Sequence, residues 1–178
     1  MASSGILGNR PGLQRAAWYA SGAQGPREQR AGANTAEGAA VEHDLEAYRA
    51  RLRGFFPDLL GVRLVHVTAD LVVGELDVRP ELCAVPGILH GGAIMAFADT
   101  LGAVATVANL PPDAGTTTIE SKTNFFAPGR EGSVIRGETI PLHKGRRTMT
   151  WQTRVTGPDG RLLALVTQTQ MVLPAEGG

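Results

Sequence analysis

The segment from Gly87 to Leu110 constrains this 178-residue chain more than any other. Asp99 is the only charged side chain between Glu81 and Asp113, and the residues around it, Ala93 to Ala98 and Leu101 to Ala105, are apolar or small. A run that is apolar on every side predicts a helix buried all round. Pro86-Gly87 stops the chain before it, Gly91-Gly92 opens it, and it runs to about Ala108. A carboxylate mid-span and the lack of a basic anchor cluster argue against a membrane helix. The helix is therefore expected at the centre of a folded domain, with the rest of the chain curled around it.

What surrounds it reads as strand. Val62 to Val67 and Leu71 to Val78, separated by Ala69-Asp70, predict a hairpin. After the loop Leu110 to Gly115 come four further runs, at about Thr117–Phe126, Ser133–His143, Thr148–Thr156 and Leu162–Leu173. The turns between them are Pro128 to Gly132, Lys144 to Arg147 and Gly157 to Gly160. In the third run Met149, Trp151, Thr153 and Val155 alternate with polar residues, as in a sheet with one covered face. Ahead of the hairpin, Leu45, Tyr48 and Leu52 recur at helical spacing within about Val41 to Gly54, and Phe55-Phe56-Pro57 is expected to end that helix. Helix, hairpin, buried helix and antiparallel meander make an α+β domain over residues 41–174.

Residues 1–40, rich in Ala, Gly, Ser, Gln and Arg without a period, are expected to be a disordered or loosely docked tail. An organellar transit peptide is the alternative. No secretory signal is expected, and one cysteine, Cys83, fits a reducing compartment; the localisation expected is cytoplasmic. Lys plus Arg and Asp plus Glu stand at 17 each, so no net field favours nucleic acid as a partner.

Asp99 is the first candidate for chemistry, because a carboxylate without partners is costly to bury. The alternative is that it satisfies a backbone donor or lies on a dimer edge. His90-Gly91-Gly92 is the second. A helix start leaves N–H groups unpaired, and glycines let a carbonyl approach them, which makes an oxyanion hole. The alternative is a tight turn, with His90 either orienting it or touching the substrate carbonyl. Nine residues of helix separate His90 from Asp99 by about 13 Å. One reacting carbon cannot touch both. If both act together, a second chain must supply one of them across a two-fold axis, Gly91 of one chain facing Asp99 of the other. The sequence has no nucleophile elbow, P-loop or zinc motif. His43, His66 and His143 give no metal spacing, and Cys83 lacks a base nearby in sequence.

Gly87-Ile88-Leu89-His90-Gly91-Gly92, six residues, then Asp99-Thr100 resembles the signature of hotdog-fold thioesterases of the phenylacetate-degradation (PaaI) type. The likeness runs from about Phe56 to Leu173 and includes Phe125 to Gly129 and Lys144 to Thr148. It implies a hotdog fold, an antiparallel sheet wrapped around one long helix, in subunits that pair and often pair again. It implies hydrolysis of an aromatic or medium-chain acyl-CoA, with the acid at Asp99 and the oxyanion donor at the Gly91 N–H. It also implies a hydroxyl at Thr117 or Thr118 to hold the attacking water. Lys144, Arg146, Arg147 and Arg130 would bind the phosphates of coenzyme A, unless they are solvated turns. No separate cofactor is expected, since coenzyme A is part of the substrate. The sequence departs from the family at Ala84, where an Asn or Gln usually stands. The alternatives are a non-catalytic acyl-CoA binding protein and a hotdog hydratase or dehydratase.

Overall fold

The computed structural model describes residues 44–174. The expected boundary at residue 40, the tail before it and Val41 to His43 lie outside the described residues. Asp44 starts helix α1 (Leu45–Leu52), its carboxylate accepting the N–H groups of Glu46 and Ala47 at 3.0 and 3.3 Å. The Arg49 guanidinium ties α1 down by donating to the Leu64 carbonyl at 2.8 Å. Pro57 does not end this helix, as expected, but sits in the first turn of a second one, α2 (Phe56–Leu60). Proline lacks an N–H that the first turn would leave unpaired anyway, so it is tolerated there. Gly61, at φ 87°, closes α2 in a left-handed conformation that favours glycine.

Strands β1 (Arg63–Val67) and β2 (Val72–Asp77) form the expected hairpin, with the Thr68 N–H donating to the Leu71 carbonyl in its turn. A two-residue pair unmarked by the sequence pattern follows, β3 (Cys83–Ala84) with β4 (Ile88–Leu89). The central helix is α3 (Gly91–Val107). Beyond it come β5 (Gly115–Phe125), β6 (Val134–Lys144), β7 (Thr148–Thr156) and β8 (Leu162–Leu173), within one or two residues of the expected runs. Six strands make one antiparallel sheet in the order β1-β2-β6-β7-β8-β5, and α3 packs across β2 and β5 to β8. This is the α+β arrangement of a hotdog: one helix held by a curved sheet.

Close approach of helix and sheet depends on two glycines. Gly74 on β2 and Gly137 on β6 are register partners beneath α3. A Cβ on Gly74 would lie 2.7 Å from Leu101 Cδ2, and one on Gly137 would lie 2.5 Å from Leu101 Cδ1. Phe97 and Leu101 fill that space, and both are fully buried. The Trp151 indole on β7 donates to Thr106 Oγ1 at 2.7 Å, so the polar edge of the largest core side chain is satisfied.

One expectation fails for α3. It is not buried all round: Gly92 and Met95 are exposed, while Ala96, Asp99 and Ala103 are half-buried. These positions recur every three or four residues and so form one stripe, which the sheet of this chain leaves uncovered. No helix among the described residues is long and apolar enough to cross a membrane.

Candidate active site

Asp99 sits midway along α3 on the open stripe. The neighbouring sequence contains nothing polar enough to solvate it, yet the fold brings two partners from the sheet. Thr118 Oγ1 on β5 donates to Asp99 Oδ1 at 3.0 Å, and Gln168 Nε2 on β8 donates to the same oxygen at 2.6 Å. Behind them, Gln170 Nε2 donates to Thr118 Oγ1 at 2.9 Å. No protein donor among the described residues reaches Asp99 Oδ2. The carboxylate lines a cavity of about 330 Å³ whose walls include Tyr48, Leu52, Phe56, Val104 and Val107, with Arg51 beside them. Burial pushes the Tyr48 phenol up, and the nearby Arg51 guanidinium offsets this only in part.

Of the two threonines expected here, the structure brings in Thr118. Both are exposed, but Thr117, one residue away on the strand, points to the opposite face of the sheet. Gln168 and Gln170 were not among the sequence candidates, although a signal for them exists. Ala164 and Val166 set the inward parity of β8, and continuing it places both glutamines inside, where both are 1% exposed. A polar residue at an inward position implies a partner.

His90 occupies the N-cap of α3. Its Nδ1 accepts the Gly92 N–H at 2.9 Å, so the side chain orients the helix start and commits that N–H. The Gly91 N–H has no acceptor among the described residues and remains the available first-turn donor. The Phe125 ring packs against it, and a Cβ on residue 91 would lie 3.1 Å from Phe125 Cζ. His90 and Gly92 line a depression of about 370 Å³ with Cys83 and Leu82, whereas Asp99 lines the separate 330 Å³ cavity. Within one chain, His90 and Asp99 therefore open onto two hollows, which share Phe56 and Ala96. Cys83 is half-buried; burial, then Glu131 and Glu81, push its thiol up, which leaves it a poor nucleophile near neutral pH. Ala84 on β3 offers no polar atom beyond its backbone.

The expected basic cluster divides. Arg130 and Lys144 lie just before and at the end of β6, an eleven-residue strand, and are roughly 30 Å apart at about 3.3 Å per residue. Lys144, Arg146 and Arg147 line a cavity of about 1060 Å³ with Pro111, Met149 and Met171, and Arg130 lies in another hollow beside Asp159 and Arg161. All three cations of that loop are exposed, and Lys144 is paired with Asp70 at 2.6 Å, which leaves Arg146 and Arg147 without an ion pair among the described residues.

Comparison with known proteins gives a consistent picture. Residues 86–164 match the model of the thioesterase superfamily. The 1,4-dihydroxy-2-naphthoyl-CoA hydrolase of Escherichia coli is 31% identical over 129 residues, covering 72% of this chain and 94% of that protein. The structure of a mutant thioesterase from Pseudomonas aeruginosa superposes with a TM-score of 0.71 at 27% identity, covering 74% of this chain and 95% of that one. The E. coli PaaI protein of the phenylacetic acid degradation operon, at 17% identity and a TM-score of 0.67, shares the fold over 72% of this chain and 91% of its own. With its helix, sheet and relatives in agreement, the chain belongs to the thioesterase superfamily and has the hotdog fold of the PaaI-like members.

Proposed function

We propose that the protein hydrolyses an acyl-CoA thioester to the free acid and coenzyme A, using sites shared between two chains. The observation that carries this is the state of Asp99. One oxygen is held by Thr118 and Gln168, while the other has no protein partner among the described residues, and the residue lines a cavity with largely apolar walls. A carboxylate so fixed can act in either of two ways. As a general base it takes a proton from water as the water oxygen bonds to the thioester carbon. As a nucleophile it bonds to that carbon itself, giving a mixed anhydride that water then cleaves. In both, the C–S bond breaks and coenzyme A leaves as a thiol. The Gly91 N–H stabilises the oxyanion that forms on the carbonyl oxygen.

The distance along α3 supports the dimer: Gly91 and Asp99 of one chain are about 12 Å apart along the axis, and the residues flanking Gly91, His90 and Gly92, line a different hollow from Asp99. The edge strand β5 supports it too. It is eleven residues long, is paired on one side only among the described residues, and exposes Ile119 and Phe125. Such an edge is a template for a second copy. Arg146 and Arg147 contact the phosphates of coenzyme A. The apolar cavity beside Asp99 takes an aromatic or medium-chain acyl group, and the E. coli relative is named for an aromatic acyl-CoA.

The purified protein, mixed with a panel of acyl-CoA thioesters and a thiol reagent, will release free thiol. Asp99→Asn will lose at least about 100-fold in kcat, a typical contribution of a positioned acid or base, and will stay folded. Binding without thiol release would instead identify a non-catalytic acyl-CoA binding protein. Turnover that survives Asp99→Asn would remove Asp99 from the chemistry.

A further inference from the structure

We propose that Gln168 is the positioning residue for the Asp99 carboxylate and that Gly102 is free of a side chain in order to admit it. This rests on the reading of Asp99 as the reacting acid. Gln168 is fully buried on β8, and its Nε2 donates to Asp99 Oδ1 at 2.6 Å while lying 3.3 Å from the Asp99 backbone oxygen. Gly102 stands one turn further along α3. A Cβ there would lie 2.0 Å from Gln168 Oε1 and 2.7 Å from Cδ. The amide thus occupies the volume that any other residue at 102 would take.

The other atom of that amide argues for function over packing. Gln168 Oε1 is buried and has no hydrogen-bond partner among the described residues. Rotating the amide would not help, because it would place an oxygen against the Asp99 carboxylate. The fold retains an unsatisfied acceptor, an arrangement that disfavours stability, in order to keep an N–H on Asp99. Thr118 is oriented toward the same end. Its oxygen accepts from Gln170 Nε2 at 2.9 Å and its own proton goes to Asp99 Oδ1 at 3.0 Å, so the hydroxyl is fixed between a donor behind it and the carboxylate in front. Both donors converge on Oδ1. Oδ2 is thereby singled out as the oxygen presented to water or to the thioester.

The test compares Gln168→Met, which keeps the length and removes the donor, with Gly102→Ala, Asp99→Asn and their pairs. A misplacement of about 1 Å at a reacting group costs on the order of 100-fold. Gln168→Met is therefore expected to lower kcat between tenfold and about 100-fold, with KM within twofold and the melting temperature unchanged or raised. Added to Asp99→Asn it should cost nothing more. Gly102→Ala should reproduce the kcat loss in the native background and cost less than twofold once Gln168→Ala has vacated the space. The proposal is overturned if Gln168→Met keeps kcat within twofold, or loses activity only in step with melting. It is also overturned if Gly102→Ala costs the same in both backgrounds, a comparison that stands even where Gln168→Met folds poorly. Failure of the underlying reading looks different: Asp99→Asn itself would retain turnover.

Discussion

Gly91 and Asp99 illustrate what a single residue contributes. In the proposed mechanism the backbone is the functional group at Gly91, and the missing Cβ leaves room for Phe125. Gly91→Pro set against Gly91→Ala separates these roles, because both add a Cβ beside Phe125 and only proline removes the N–H, at the one helical position that tolerates it. His90, at φ −64° and ψ 137°, already has the extended conformation that a residue before proline adopts. The proline variant should fold and lose about 100- to 1000-fold in kcat, the usual effect of deleting one oxyanion donor. Steady-state kinetics with circular dichroism on the same sample checks both. The sequence made Asp99 and the Gly91 N–H legible, because one charge in an apolar run and glycines at a helix start are local signals. It did not reveal Gln168, which comes from β8, 69 residues further along the chain. No spacing rule links such a residue to Asp99; only inward parity on β8 hints at it. The choice of Thr118 over Thr117 depends on strand parity as well, and a shift of one residue reverses it.

At the scale of elements, the Gly74–Gly137 pair sets how closely α3 approaches the sheet. Gly137→Ala places a methyl 2.5 Å from Leu101 Cδ1 and 2.8 Å from Phe97 Cε1. Overpacking of that kind costs typically about 1–3 kcal/mol, which chemical denaturation will show as a lower midpoint at unchanged slope. The strands were legible because turn chemistry and alternation agree at each of them. Where they conflict, the sequence misleads: Pro57 follows a helical run and reads as its end, whereas it opens the next helix. The basic cluster divides within one chain for a related reason. Arg130 and Lys144 both stand at turn signals in the sequence, but the eleven-residue strand β6 separates them. If Arg146 and Arg147 hold coenzyme A phosphates, replacing both by Ala will raise KM for an acyl-CoA severalfold. KM for the same acyl group on a short pantetheine thiol will not change. Equal effects on both substrates would place the phosphates elsewhere.

For the whole molecule the governing fact is that α3 is covered on all but one stripe. That stripe runs from Gly92 through Met95 and Ala96 to Asp99 and Ala103, and so carries the candidate chemistry. In the proposed dimer, small residues at most of these positions leave room for acyl chain and pantetheine between the two chains. In this account each dimer has two sites, each taking Gly91 from one chain and Asp99 from the other. Mixing two inactive variants tests it most directly. Asp99→Asn and Gly91→Pro, carrying different affinity tags, are co-expressed, and the heterodimer is isolated through both tags. In it, one site combines both defects, and the other combines a native Gly91 with a native Asp99. The account predicts about half the wild-type thioesterase activity per heterodimer, from parents that have almost none. A heterodimer as inactive as its parents would contradict it and place the whole site within one chain.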